Sequence, residues 1–213
     1  MWLSWVLAQI RKAQTMKYPH LEGKRILILS GHTHVSTGTT GFYHPSKRLY
    51  TSEAILNLDI AYQAMRILEL DGVRCELGHG NFTRRATLAE RFDPDAIISF
   101  HAQANAQTAT RGFEIWYPGD DDLSPVLALR IAEHMGLTGI VPRVPAVKNM
   151  EVDDNAGTWK DDHDGLFETC RVRPCVIVEA GFVSNEEDWK VLRNTEGQRM
   201  VAAAAIRGLN AFF

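Results

Sequence analysis

Short apolar runs alternate with longer amphipathic stretches along most of the chain. Most of the runs are rich in isoleucine, valine and leucine, which is typical of strands buried on both faces of a sheet. We predict strands at 25–29, 73–77, 96–100, 112–117 and 175–179, and helices at 53–70, 124–135 and 197–213. Strands that alternate with helices predict an α/β fold with a largely parallel sheet.

The first predicted helix, 53–70, has the clearest sequence signals. Ser52 precedes it as a candidate N-cap, and Asp71-Gly72 follows it as a stop signal. Its larger apolar residues recur at spacings of three and four, so we expect them to form the buried face of the helix. These residues are Ile55, Leu58, Tyr62, Met65 and Leu68.

The N-terminal segment is apolar, with its basic residues in an unusual place. Residues 1–10 include two tryptophans and precede Arg11 and Lys12. A secretory signal carries its positive charge before the apolar stretch, so we expect a protein made in the cytoplasm without a signal peptide. No stretch approaches the roughly 20 apolar residues of a membrane span, so we expect no membrane insertion.

Composition narrows the class of protein. The chain has 213 residues, of which 45% are hydrophobic and 23% are charged. We predict one domain over 1–213, with a helical extension at 1–22 and a core at 23–213, and we favour a monomer. The net charge of −3 argues against a nucleic-acid partner. Three cysteines without a CxxC pair favour free thiols over a disulfide framework or a thiolate zinc site.

A polar stretch separates the last two strands. Residues 146–164 read as a long surface loop that contains the acidic cluster 161–164. That cluster lacks the spacing of a known calcium loop, so we favour a solvated loop over a cation site.

Four polar residues stand where predicted strands end or a helix begins. His32 follows the first strand, Glu53 opens the next helix, His101 follows the third strand, and Glu179 ends the last one. Ligands of open parallel sheets bind at the carboxyl ends of the strands, where these side chains could converge.

Two imidazoles and one carboxylate form a catalytic zinc set that leaves a position for water. The second carboxylate, Glu179, would then take a proton from that water. The spacing leaves a simpler alternative open: the histidines could be hydrogen-bonded loop residues, and Glu53 could favour the helix dipole.

The residues around these positions resemble a known family. The motifs are Ser30-Gly-His32, Glu53-Ala-Ile-Leu-Asn-Leu58, Ile98-Ser-Phe-His-Ala-Gln-Ala-Asn105 and, most specific, Pro174-Cys-Val-Ile-Val-Glu-Ala-Gly-Phe-Val-Ser-Asn185. In this order they resemble the zinc-dependent N-acetylmuramoyl-L-alanine amidases of bacterial autolysins and phage endolysins. The resemblance spans roughly Lys24 to the C-terminus.

The resemblance implies both a fold and a site. The fold would be a mostly parallel, twisted sheet of about six strands flanked by helices. His32, Glu53 and His101 would hold Zn²⁺, and Glu179 would be the catalytic residue. The substrate would be peptidoglycan, cut at the amide between N-acetylmuramic acid and the L-alanine of the stem peptide. A chain without a signal peptide would suit a phage endolysin that reaches the wall after release.

The chain departs from the family pattern at three places. Leu29-Ser30 stands where Asp-Pro is usual before the glycine-histidine pair. Thr33-His34 stands where a glycine pair is usual, so His34 is a rival to His32 as ligand. Gln103 stands where the family favours asparagine, and Asn105 follows two positions later. Two other functions stay open: a carboxypeptidase-like zinc hydrolase of stem peptides, and a catalytically inactive wall-binding module.

Overall fold

A computed structural model describes residues 17–40, 52–119, 122–150 and 173–213. These residues form six strands and five α-helices, with two short 3-10 turns at Pro19–Leu21 and Gly136–Thr138. The strands are β1 (Arg25–Ser30), β2 (Arg74–Gly78), β3 (Ala96–Gln103), β4 (Phe113–Tyr117), β5 (Pro142–Asn149) and β6 (Cys175–Phe182). The helices are α1 (Glu53–Leu70), α2 (Phe82–Phe92), α3 (Ser124–Met135), α4 (Glu186–Leu192) and α5 (Thr195–Phe212).

The strands form one sheet in the order β2-β1-β3-β6-β4-β5. The first four are mutually parallel, β4 runs antiparallel to β6, and β5 is parallel to β4. Every residue of β3 and of β6 is buried, as expected for central strands covered on both faces. The predicted α/β fold with a mostly parallel sheet of about six strands is confirmed.

The two faces of the sheet carry separate hydrophobic clusters. Alternate residues of each strand point to opposite faces, so Ile26 and Ile28 pack with α1, α3 and α5, whereas Leu27 and Leu29 face α2. The larger cluster also includes Trp189 and Leu192 of α4, so four helices contribute to it, whereas a single helix covers the smaller one. Both clusters hold the carboxyl ends of β1, β3 and β6 in fixed positions.

The predicted face of α1 is right at Leu68 and wrong at Ile55 and Tyr62, and the predicted bounds of the helix are right. Ile55 is 43% exposed and Tyr62 is 48% exposed, whereas other positions of α1 pack against the sheet and α5. The buried positions include Leu56, Ile60, Ala61, Ala64 and Leu68. Alanines allow close packing there, and the predicted pattern left out Leu56 and Ile60 as well as the alanines. The Ser52 side chain forms no capping hydrogen bond, whereas Asp71-Gly72 ends the helix as predicted, with Gly72 at a φ of +77°.

Three elements were not predicted: α2, α4 and β5. Strand β5 occupies the first part of the predicted loop 146–164, and residues 151–172 lie outside the described residues. It is an edge strand with a half-exposed, proline-containing sequence, so it lacks the apolar run of a central strand.

The predicted helical extension at 1–22 is described only from residue 17. Tyr18 and Leu21 are buried in the larger hydrophobic cluster. The backbone amides of Lys17 and Tyr18 donate to the Asp71 carboxylate, each at 2.7 Å. Among the described residues, no helix has the length and apolar character to cross a membrane. Cys75 is a free thiol, Cys175 is buried at the start of β6, and Cys170 lies outside the described residues.

Candidate functional site

Three of the four predicted site residues meet at the carboxyl ends of the central strands. His32 lies just after β1, His101 lies in the last part of β3, and Glu53 is the first residue of α1. His32 adopts a φ of +61°, which is uncommon for a residue with a side chain and turns it back over the strand ends. The fold thus brings together residues that are up to 69 positions apart, as the difference between 101 and 32 shows.

The Glu53 carboxylate lies between the two imidazoles. Its Oε1 atom is 3.2 Å from Nε2 of His32 and 3.4 Å from Nδ1 of His101. The two rings stand edge to face, with centroids 5.0 Å apart. Glu53 and His101 are buried, and His32 is half-buried at the rim.

Backbone and side-chain donors fix the orientation of Glu53. Its Oε2 accepts a hydrogen bond from the Thr39 amide at 2.9 Å. Its Oε1 accepts from Nδ2 of Asn57 at 3.0 Å and from the Ala102 amide at 3.2 Å. Glu53 and Asn57 lie four positions apart in α1, so their side chains are neighbours on one face of the helix. The first turn of α1 therefore supplies both the carboxylate and the amide that holds it.

Burial and neighbouring groups set the charge states of the site. Burial would raise the pKa of Glu53, but its contacts with His101 and His32 outweigh burial and hold that pKa below its usual range. Burial lowers the pKa of His101, and the nearby charges of His32 and Arg85 lower it further. The contact with Glu53 raises this pKa but does not outweigh them. The site therefore favours an ionised Glu53 beside a neutral His101, which is the protonation state that metal ligands need.

Two glycines leave room for the three side chains. A Cβ atom on Gly31 would lie 2.2 Å from the His101 ring, and one on Gly38 would lie 2.4 Å from Oε2 of Glu53. Gly38 also adopts a φ of +68°, a conformation that glycine accepts without strain.

The donor set fits a divalent zinc ion. His32, Glu53 and His101 each offer one donor atom, and these atoms all lie within 4.8 Å of one another. His34, the rival ligand, is not in this group, although it lines the adjacent cavity with His32. Two imidazoles and one carboxylate are typical ligands of catalytic zinc.

Glu179 lies on β6, directly beside His101 of β3. It pairs in register with His101 of β3 on one side and with Glu114 of β4 on the other. Paired residues point to the same face of a sheet, so these three side chains are neighbours. Glu179 is fully buried. Burial first, and then the charges of Glu53 and Glu114, raise its pKa well above the ordinary value.

Glu114 belongs to a buried polar network that the sequence analysis missed. Its carboxylate is 2.5 Å from Nε of Arg143 and 3.1 Å from Nζ of Lys148, both on β5. It also accepts hydrogen bonds from Nε2 of Gln103 and Nε1 of Trp116. The signal was a lone carboxylate between Phe113 and Ile115, and its two cationic partners come from β5, which was not predicted.

The last two residues of the motif 174–185 hold the loop after β3 in place. Ser184 Oγ accepts a hydrogen bond from the Asn105 amide at 3.0 Å. Asn185 caps α4 and donates through Nδ2 to the Thr108 carbonyl at 2.7 Å. These contacts hold the loop after β3, and with it the end of the strand that carries His101.

Other histidines and the acidic cluster are not part of the group of candidate ligands. Nδ1 of His20 is 3.0 Å from the Asn210 carbonyl oxygen, and His134 lies on α3. The acidic cluster 161–164 lies outside the described residues. Arg85, which lines the cavity beside the site, was missed because its helix α2 was not predicted.

Comparisons with known proteins identify the family of the chain. Residues 26–211 match the Amidase_3 family, described as N-acetylmuramoyl-L-alanine amidase. The chain is 26% identical over 190 residues to the N-acetylmuramoyl-L-alanine amidase Rv3717 of Mycobacterium tuberculosis, covering 83% of this chain and 73% of that protein. It is 23% identical over 201 residues to the probable cell wall amidase LytH of Staphylococcus epidermidis, covering 94% of this chain and 62% of that protein.

A solved structure shares the fold. The catalytic domain of CwlV, an N-acetylmuramoyl-L-alanine amidase from Paenibacillus polymyxa, superposes with a TM-score of 0.70 at 20% identity. The match covers 89% of this chain and 97% of that one. Because the family match extends over most of the sequence and includes all four site positions, the chain belongs to the Amidase_3 family of N-acetylmuramoyl-L-alanine amidases.

Proposed function

We propose that this chain is a zinc-dependent peptidoglycan amidase that hydrolyses the bond between N-acetylmuramic acid and the first L-alanine of the stem peptide. The observation that carries the proposal is the His32, Glu53 and His101 group, whose donor atoms lie within 4.8 Å of one another at the strand ends. Its place in a family of amidases supplies the substrate class.

The three ligands are prepared for a cation. The buried, ionised Glu53 provides a negative charge, and the neutral His101 provides a nitrogen donor. A zinc ion held there would polarise the amide carbonyl and lower the pKa of water.

Glu179 is the proposed proton carrier. It accepts a proton from the water that attacks the amide carbon, and it delivers that proton to the alanine nitrogen as the carbon–nitrogen bond breaks. A carboxyl group with a raised pKa holds the proton well enough to deliver it. The products are a free lactyl carboxylate on the sugar and a free L-alanine amine on the peptide.

Digestion of purified cell walls tests this proposal. The expected products are new L-alanine amines with intact glycan strands, and EDTA should abolish their release. New reducing ends would indicate a glycosidase, released C-terminal amino acids a carboxypeptidase, and binding without any product an inactive wall-binding module. Each of these results would overturn the amidase proposal.

A matched pair of variants tests the roles of the residues. Glu179→Gln should lose about a hundredfold or more in rate and keep its zinc, because it removes the proton acceptor and not a ligand. His101→Ala should lose the metal as well. Near-normal turnover by Glu179→Gln would remove Glu179 from the mechanism.

The narrower role of a phage endolysin is a separate proposal. The protein would act as a monomer on the wall after release from the cytoplasm. Fractionation of expressing cells, with and without a membrane-permeabilising agent, tests it. Lysis only after permeabilisation is the expected result, and protein in the medium with spontaneous lysis would favour an exported autolysin.

A further inference from the structure

A cavity of about 560 Å³ opens beside His32 and His101. It lies between the loop after β1, the loop after β2 and the first turn of α2. Arg84 and Arg85 line its wall together with His34 and His79. No aspartate or glutamate stands among the described residues that line it, so its wall is basic.

The start of α2 holds the two arginines in place. The Asn81 side chain caps the helix by accepting a hydrogen bond from the Arg84 amide at 3.0 Å, and the Arg85 amide bonds to the Asn81 carbonyl at 3.2 Å. Arg85 is 8% exposed, so its guanidinium is withdrawn from bulk water. A planar, permanently charged guanidinium in such a place suits a carboxylate, which it can bind with two parallel hydrogen bonds.

The cations on the opposite side of the site already have carboxylate partners. In the sheet order, β6 and β4 follow β3 on the side away from β1 and β2, and they carry the buried carboxyl groups of Glu179 and Glu114. Arg143 and Lys148 on that side pair with the Glu114 carboxylate, which competes with any substrate carboxylate for them. The basic cavity next to His32 is therefore the side on which an acidic group of the substrate is stabilised.

We propose that this cavity binds the free carboxylate of the acidic residue that follows L-alanine in the stem peptide, with Arg85 as its main partner and Arg84 as a second. This specificity rests on the proposed amidase function. The cleaved amide lies at the His32, Glu53 and His101 group, and the peptide on the leaving side runs toward β2 into the cavity. The enzyme then prefers stem peptides in which this carboxyl group is free over those in which it is an amide.

The test uses the full chain loaded with zinc and three synthetic N-acetylmuramoyl tripeptides. One has all its carboxyl groups free, one is amidated at the second residue, and one is amidated only at the C-terminal carboxyl. The expected kcat/KM is about tenfold or more lower for amidation at the second residue, the usual size for a charged hydrogen bond, and nearly unchanged for amidation at the C-terminus.

Arginine variants identify the partner. Arg85→Gln should reduce kcat/KM for the free peptide to the level of the amidated one, mainly through KM, with little effect on the amidated peptide. Arg85→Lys should restore part of the preference, because it keeps the charge and loses the paired hydrogen bonds. Arg91→Gln is the matched control on the same helix, because Arg91 pairs with Glu76 outside this cavity. It should keep the full preference.

Binding to the metal-free protein gives a readout that does not depend on turnover. Calorimetry with the product tripeptide should show tighter binding of the free form than of the form amidated at the second residue, and Arg85→Gln should remove that difference. If Arg85→Gln does not fold, Arg84→Gln and the substrate preference of the unmodified chain still decide the question.

The outcomes separate this inference from the proposed function. Equal cleavage and equal binding of the free and amidated peptides by the unmodified chain would overturn the carboxylate site and leave the amidase activity intact. The same holds if the preference survives in both Arg85→Gln and Arg84→Gln. Failure of the zinc-loaded chain to cleave any of the peptides or purified cell walls would instead contradict the proposed function.

Discussion

Gly31 sets the distance between the end of β1 and the His101 ring. An added Cβ atom would lie 2.2 Å from Cε1 and Nε2 of that ring, which is far closer than real contacts allow. The ring is buried, so it can move only by changing the geometry of the candidate metal site. Gly31 therefore acts through the position of a ligand, although it offers no side chain of its own.

The first prediction is that Gly31→Ala weakens zinc binding by about tenfold or more, the usual effect of disturbing the surroundings of a ligand. Zinc titration against a competing chelator measures it. Gly136→Ala is the matched control, because a Cβ atom at that position meets nothing within 4 Å. Unchanged affinity in Gly31→Ala would mean that His101 is not a ligand or that the strand end adapts freely.

Glu179 is the second residue whose position has a measurable effect. Its pKa is raised in the folded metal-free protein, so the folded state binds its proton more tightly than the unfolded state does. The resulting free-energy penalty on the folded state is absent below the unfolded pKa. It grows as the pH rises toward the folded pKa and is constant above it.

We predict that Glu179→Gln stabilises the metal-free protein at pH 8 by about 1 kcal/mol or more, since each unit of pKa shift corresponds to 1.36 kcal/mol. At pH 4 the two proteins should have nearly the same free energy of unfolding. Urea unfolding at both pH values, in the presence of EDTA, measures the difference. The exposed Glu133→Gln should show no such trend, and an equal gain at both pH values would contradict a penalty from ionisation.

At the scale of elements, Asp188 of α4 joins this helix to β4 and β6, the strands that carry Glu114 and Glu179. Its Oδ2 atom accepts hydrogen bonds from the Gly112 amide at 2.6 Å and the Phe182 amide at 3.0 Å. The carboxylate is fully buried, and Nε of Arg111 lies 3.7 Å away. One side chain of α4 therefore fixes both the start of β4 and the end of β6.

We predict that Asp188→Ala lowers the free energy of unfolding by about 2–4 kcal/mol, because it leaves two buried amides without their acceptor. Chemical denaturation measures the loss. The matched control is Glu187→Ala, which changes a half-exposed neighbour in the same helix. A loss below about 1 kcal/mol would mean that water or a shifted loop replaces the carboxylate.

The sequence predicts an element well when the burial of that element leaves a simple pattern. Strands β3 and β6 are covered on both faces, so their apolar runs were unmistakable, although each strand extends three residues beyond its predicted end. The charged helix α2 and the edge strand β5 bury little, so their patterns resemble loops. The buried face of α1 depends on alanines, whose role becomes visible only against the sheet.

The same contrast applies to the site. The grouping of His32, Glu53 and His101 could be predicted because each lies near the end of a recognisable element within a family motif. The Arg85 cavity and the cations that pair with Glu114 could not, because they come from α2 and β5. The position of the cavity relative to the site follows from the strand order, and no local pattern contains that order.

At the scale of the whole molecule, the three candidate ligands connect parts of the chain that are distant in sequence. His32 comes from the loop after β1, Glu53 from α1, and His101 from β3. The unfolded chain does not hold these residues together, so zinc should bind the folded state far more tightly than the unfolded state. Metal binding must then raise the free energy of unfolding by mass action.

The last prediction is that EDTA lowers the melting temperature of the zinc-loaded protein. With free zinc at about one hundred times its Kd, the stabilisation is about 2.7 kcal/mol. For a domain of this size it corresponds to roughly 5–10 °C. Differential scanning calorimetry with and without EDTA measures the shift. His101→Ala should show almost no response to EDTA, whereas His134→Ala, changed on α3 away from the site, should respond like the unmodified chain. An EDTA response that persists in His101→Ala would place the stabilising metal at other residues and contradict the assigned ligand group.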